Sequence, residues 1–242
     1  DGTAASTFTS STTLGLSAFA AKSVRATLDV DNGAAGRTVT FETSDDGVTW
    51  SALGTAQTVA TAANTFDSTA VLNVGGNDAG AFNLPVGIVY RARIYSTPLG
   101  TPALQFDANF SLPAKLAPSF TESSSNAATV TINTSGATGA RISGARDRYQ
   151  STVASQQVYL PWSGTNYGYD CGAAGQGFST PDSVAISTVG DLEVIFDLET
   201  SDWSQGNALA YAAKYVFSTA NRSWRVVSAT GTRLIQLIWS TD

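Results

Sequence analysis

VRATLDVDNGAAGRTVTFETSDDGVTW, residues 24–50, carries the pattern on which the fold turns. In its first eight residues Val24, Ala26, Leu28 and Val30 fall on one side of an extended chain, and Arg25, Thr27, Asp29 and Asp31 on the other. Alternation with a period of two is the mark of a strand with one face turned to a core. NGAAG at 32–36 supplies a turn, and RTVTFET runs back with Val39 and Phe41 on the apolar side. A second turn follows at once. Asp46-Gly47 suits a tight hairpin, Asp45 has a carboxylate able to bond backbone N–H groups inside it, and Trp50 is expected to return over the core.

The same texture extends outward. Strands are predicted at 69–74, 87–96, 104–111, 128–134, 156–160, 191–199, 222–229 and 232–239, most of them bounded by Gly, Asn, Asp or Ser. Only NALAYAAKYVF, residues 207–217, raises the question of a helix. So many short strands predict an all-β chain built as an antiparallel two-sheet β-sandwich. SLPAKLAP (111–118) and SFTESSSN (119–126) read as a seam, with a linker at 114–126 between blocks 1–113 and 127–242.

Composition narrows the chemistry. The 242 residues include 13 Lys and Arg against 19 Asp and Glu, a net charge of −6, so no basic stripe is available for a phosphate backbone and nucleic acid is not an expected partner. The absence of histidine removes Ser–His–Asp triads and most transition-metal sites. A lone cysteine, Cys171, cannot form an internal disulfide and reads as an inert small residue. No run of about 18 apolar residues suggests a membrane span. With no methionine and Asp1 at its start, the sequence reads as part of, or a processed form of, something longer.

Two groups of three segments carry a family resemblance. VRATLDVDNGAAGRTVTFETSDDGVTW, VGIVYRARIY and LQFDANFS resemble the second half of LamG-like (concanavalin A-like) domains found in tail and fibre proteins of phages of actinobacteria. FSTPDSVAISTVGDLEVIFDLETSDW, KYVFSTANRSWRVVS and LIQLIWSTD resemble the first half, while residues 143–177 depart from the usual short connection. The halves stand in permuted order. The resemblance implies a concanavalin A-like jelly roll closed by pairing of the N- and C-terminal strands, with residues 232–239 beside residues 5–13. Exchange of halves between neighbouring subunits is the other arrangement it allows.

Four constellations bear on function. TSDDGVTW fits the Asp-box pattern through Thr43, Asp45, Gly47, Thr49 and Trp50. Sialidase propellers repeat that motif, whereas one copy occurs here, so a structural hairpin is the favoured reading. In DLEVIFDLE, Glu193, Asp197 and Glu199 share a face with Ile195, which resembles the carboxylate strand of laminarinase-type hydrolases with its spacing broken. The expected result is a half-buried strand with a solvated acidic face and no catalysis. Ca²⁺ is a candidate ion for Asp29, Asp31, Asp78, Asp182 or Asp202, although no spaced ligand set assigns the metal site. Finally, WSGTNYGYD places Trp162, Tyr167 and Tyr169 in a Gly-rich segment suited to glycan stacking or a partner contact. Trp50, Trp203 and Trp224 are expected in the core.

The resemblance thus implies a non-enzymatic virion protein of tail-fibre or minor-tail type. Its expected partners are other virion proteins, copies of itself in a homo-oligomer (a trimer), and a host cell-surface glycan. A capsid decoration or head-fibre protein of the same fold and a concanavalin A-like glycoside hydrolase are the alternatives.

Overall fold

The computed structural model describes residues 5–16, 21–76, 87–96, 103–110, 119–135, 138–139, 141–142, 144–146, 157–160, 169–170, 177–182, 190–200, 210–215, 222–229 and 231–240. In chain order the strands are β1 (Ala5–Thr9), β2 (Ala21–Asp29), β3 (Arg37–Ser44), β4 (Ser51–Ala52), β5 (Gln57–Val59), β6 (Leu72–Val74), β7 (Gly87–Tyr95), β8 (Leu104–Asn109), β9 (Ser119–Thr121) and β10 (Thr129–Ser135). There follow β11 (Thr138–Gly139), β12 (Arg141–Ile142), β13 (Gly144–Arg146), β14 (Gln157–Leu160), β15 (Tyr169–Asp170), β16 (Gly177–Thr180), β17 (Leu192–Thr200), β18 (Ala210–Tyr215), β19 (Arg222–Ser228) and β20 (Ile235–Ser240). No helix occurs among the described residues; the stretch at 207–217 holds β18 instead.

Two nine-stranded antiparallel sheets pack face to face as a β-sandwich. The first runs β1-β20-β19-β18-β6-β16-β10-β11, with β9 beside β10. The second runs β12-β15-β7-β17-β2-β3-β4, with β5 beside β3 and β8 beside β7, while β13 and β14 form a separate pair. Strands from residues 1–113 and 127–242 are interleaved in both sheets. β17, for example, lies between β2 and β7.

Alternation decides which face is buried. Val24, Ala26 and Leu28 of β2 stand opposite Phe196, Val194 and Leu192 of β17, and all six have no exposed surface. From the first sheet Leu72, Val226, Leu237 and the cross-strand pair Trp224 and Trp239 meet them in one cluster. Each such side chain contributes about 1.5–3 kcal/mol of burial.

Residues 119–126 differ from the linker reading. β9 pairs with β10, and Glu122 is buried with its carboxylate accepting from Asp107 N (2.9 Å), Ser124 N (2.6 Å), Ser124 Oγ (2.7 Å) and Ala128 N (3.0 Å). A polar run that reads as a spacer is here an anchored corner, because one acidic side chain collects the donors that a turn leaves over.

The chain's first and last strands lie side by side. β1 pairs with β20 from Ala5↔Ser240 to Thr9↔Gln236, and Phe8 stacks on Trp239 with ring centres 5.0 Å apart. Hydrogen bonds from Ser10 N to Ile235 O and from Leu14 N to Arg233 O continue the contact. β1 stands at the end of its sheet's path, so the pairing extends that edge.

Candidate functional site

The outer face of the second sheet brings together charged side chains from β2, β3, β7 and β17. The alternation that sends Leu192, Val194 and Phe196 inward turns Glu193, Ile195 and Asp197 of β17 outward, beside Ser23, Arg25 and Thr27 of β2 and Arg91 and Arg93 of β7. This face is not a solvated acidic strip. Glu193 is 6% exposed and Ile195, opposite Arg25 and Arg93, only 4%. The long arginine stems flank the intervening isoleucine, as amphipathic side chains do when they cover apolar surface.

Charges on this face are paired across strands. Arg25 Nε donates to Glu42 Oε2 on β3 at 2.7 Å, and its Nη2 lies 2.5 Å from the same oxygen. Arg93 Nη2 lies 3.6 Å from Asp197 Oδ2, and Ser23 Oγ donates to the other oxygen of that carboxylate. Arg91 grips Asp107 of β8 with two bonds of 2.7 Å, and Ser123 Oγ adds a third at 2.9 Å. Burial works against the Asp107 charge, but these donors outweigh it and hold its carboxyl below the usual range.

Glu193 is the exception. Its neighbours are Thr27 Oγ1, which donates at 3.4 Å, and Arg25 Nη1, at 3.7 Å. Both contacts are long for a carboxylate that is more than nine-tenths buried. Desolvation accordingly raises its pKa, with Arg25 and Thr27 only partly offsetting the effect. Glu193 lines a groove of about 360 Å³ together with Arg25, Thr27, Thr40, Glu42 and Ala52, among others. One wall is the segment after β4, where Gly54 has φ 87° and a Cβ would collide with Ser11 Oγ. Thr55 N donates to that same hydroxyl at 2.9 Å, which ties the wall to the tail of β1.

The TSDDGVTW hairpin crosses the same face. Asp46, rather than Asp45, is its internal acceptor: Oδ1 takes Val48 N at 2.8 Å and Thr49 N at 2.7 Å, while Ser44 Oγ takes Gly47 N at 2.9 Å. The Asp46 carboxyl is held far below the ordinary range by the Thr49 and Val48 amides and the Ser44 hydroxyl. Asp45 instead points outward to Lys22 Nζ. Gly47 has φ 70°, and a Cβ there would lie 3.8 Å from Arg93 Nη2 and 3.9 Å from Asp197 Oδ1. Trp50 is half-buried, not core, because the Arg25 guanidinium sits 4.4 Å over its ring. Thr43 pairs with Ser51 on β4, and Thr49 is exposed. Arg25 is thus held by Glu42, Glu193 and Trp50 together.

The remaining sequence-predicted residues scatter. Trp162, Tyr167, Cys171, Trp203, Asp78 and Asp202 lie outside the described residues. Tyr169 opens β15, opposite Ile142 and Val89. Trp224 is fully buried. The pairing of β17 with β7 shifts by one residue between Asp197 and Leu198, so Glu199 leaves the register that Glu193 and Asp197 share against β7, while all three keep one register against β2. Asp29 and Asp31 accept from Asp31 N and Gly33 N, each at 3.2 Å. Asp182 pairs with Lys214 at 3.0 Å. Among the described residues no group of three or more His, Cys, Asp or Glu side chains is arranged to hold a metal.

Arg25, Thr27, Glu42 and Arg93 were not singled out from sequence. Their alternation with core residues marked them as outward-facing, but their meeting with Glu193 depends on pairing between segments far apart in the chain. Searches of family models, curated proteins and solved structures find no match to this chain.

Proposed function

We propose that this protein is a non-enzymatic structural and adhesive component of a phage virion, of tail-fibre or minor-tail type, that binds a host-surface glycan in the groove beside Glu193. The family resemblance of both halves of the sequence supports the virion assignment, and the β-sandwich is compatible with it. The observation that carries the binding role is Glu193 itself, a buried carboxylate with only two long contacts on the wall of an open groove. Such an acceptor is short of donors, and sugar hydroxyls are donors. Other virion proteins and further copies of this chain, as a trimer, are the proposed partners.

The test has two arms. Gold-labelled antibody against this chain should mark the tail of intact particles, and purified protein should sediment with host cell walls. Label on the shell would favour a decoration or head-fibre role, and failure to sediment with walls would remove the adhesive role.

One observation favours a second reading. The raised pKa of Glu193 is the property that a glycosidase acid requires. Hydrolysis also requires a second carboxyl about 5–9.5 Å away acting as nucleophile or base, and Glu42, its neighbour across Arg25, is bound tightly by that guanidinium. Release of reducing ends from host polysaccharide, lost in Glu193→Gln, would install the hydrolase reading in place of the adhesin.

A further inference from the structure

We infer that the groove selects an uncharged, polyhydroxylated sugar unit and rejects glycans that carry carboxylate or phosphate groups. This rests on the reading of the groove as a saccharide site and specifies which saccharides it takes.

The argument begins with the charges that face the groove. Arg25, Glu42 and Glu193 are the charged lining residues, one positive and two negative, and the rest of the lining is Thr27, Thr40, Phe41, Ala52, Gly54 and Ala56. The single cation is committed: Glu42 Oε2 takes both its Nε and its Nη2, and Trp50 covers its face. Arg93 and Arg91, further along the same sheet face, are engaged by Asp197 and Asp107. An acidic sugar entering here would set its charge beside Glu193 in a partly desolvated site with its cation already neutralised, and like charges so placed repel.

A neutral sugar meets the opposite situation. Glu193 can accept hydroxyl protons, which relieves the shortage left by contacts of 3.4 and 3.7 Å. The hydroxyls of Thr27 and Thr40 can donate or accept, and Ala52 and Ala56 offer methyl groups to the C–H face of a ring. A volume of about 360 Å³ lies near the lower end of small-molecule sites, about 300–1,000 Å³, which suits one or two rings of a longer chain. Specificity of this kind rests on a buried acceptor whose contacts are all long, which favours a ligand able to supply a closer donor.

The experiment is binding of this 242-residue chain to an array of neutral and acidic oligosaccharides, each acidic member matched to a neutral parent. The expected result is retention on neutral members only, with affinity unchanged between about 0.05 and 0.5 M salt, a range over which the Debye length falls from about 14 Å to about 4 Å. Glu193→Leu should weaken binding about tenfold or more. Glu193→Gln, which retains an acceptor but removes the charge, should keep neutral binding within a few-fold and narrow the gap between each acidic member and its parent. Thermal melts of both variants establish that they fold. Binding confined to acidic members would overturn the inference and leave the adhesin reading standing. Neutral binding unaffected by Glu193→Leu would also overturn it, since the site would then lie elsewhere. Retention on no member would remove both.

Discussion

Adjacent aspartates in one turn have unlike roles. Asp46 collects two backbone amides, whereas Asp45 reaches only Lys22 and is 86% exposed. Asp46→Ala should lower the melting temperature measurably, while Asp45→Ala should leave it nearly unchanged, as expected for an exposed ion pair. Because the Asp46 pKa is depressed, its contribution is present above the unfolded carboxylate value and is lost only as pH falls below the ordinary range. The sign reverses at Glu193. Its folded pKa is raised, so the folded state holds its proton more firmly than the unfolded chain does. Stability from this group is full below the unfolded value and declines as pH rises through the folded one. Urea unfolding from about pH 4 to 8 should therefore show a fall in stability across that window that is smaller in Glu193→Gln, with desolvated Asp191 contributing in the same direction in both proteins.

Two buried glutamates show what separates a supporting element from a site. Glu122 accepts from four donors at 2.6–3.0 Å and fastens the β9–β10 corner to β8. Glu193 on β17 has a comparable degree of burial and two distant partners. Glu122→Ala should cost about 3 kcal/mol or more, since it strands several buried donors, and denaturant titration would read that loss directly. Sequence reading located most strands, because alternation is local: Val24, Ala26 and Leu28 announce their face without reference to any partner. It failed at residues 119–126, where a Ser-rich run reads as a spacer and the decisive acceptor depends on a turn not yet formed. It also failed at DLEVIFDLE, where alternation gave the outward residues correctly but could not say that arginines from β2 and β7 would lie over them. Within TSDDGVTW the motif pointed to the right turn and the wrong aspartate, because either one can satisfy the same amides until the backbone is set.

At the scale of the whole molecule, the sandwich is assembled from strands distant in sequence, and its core meets at Trp224 and Trp239. Trp224→Ala should cost about 3–5 kcal/mol, readable as a lower denaturant midpoint with little change in the slope. The β-sandwich could be anticipated from strand count and turn spacing, and the neighbouring placement of β1 and β20 from the permuted order of the two resembling halves. Which outer face gathers a groove could not, since that depends on tertiary neighbours. Antiparallel placement of the first and last strands has a mechanical corollary. Ala5 lies opposite Ser240, so tension applied through both extremities would peel β1 from β20 one rung at a time, like a zipper opened from its tab. A tether fixed at one extremity alone leaves those rungs unloaded, and a force spectrometer pulling on the two ends should record a lower rupture force than one pulling through β2 and β17.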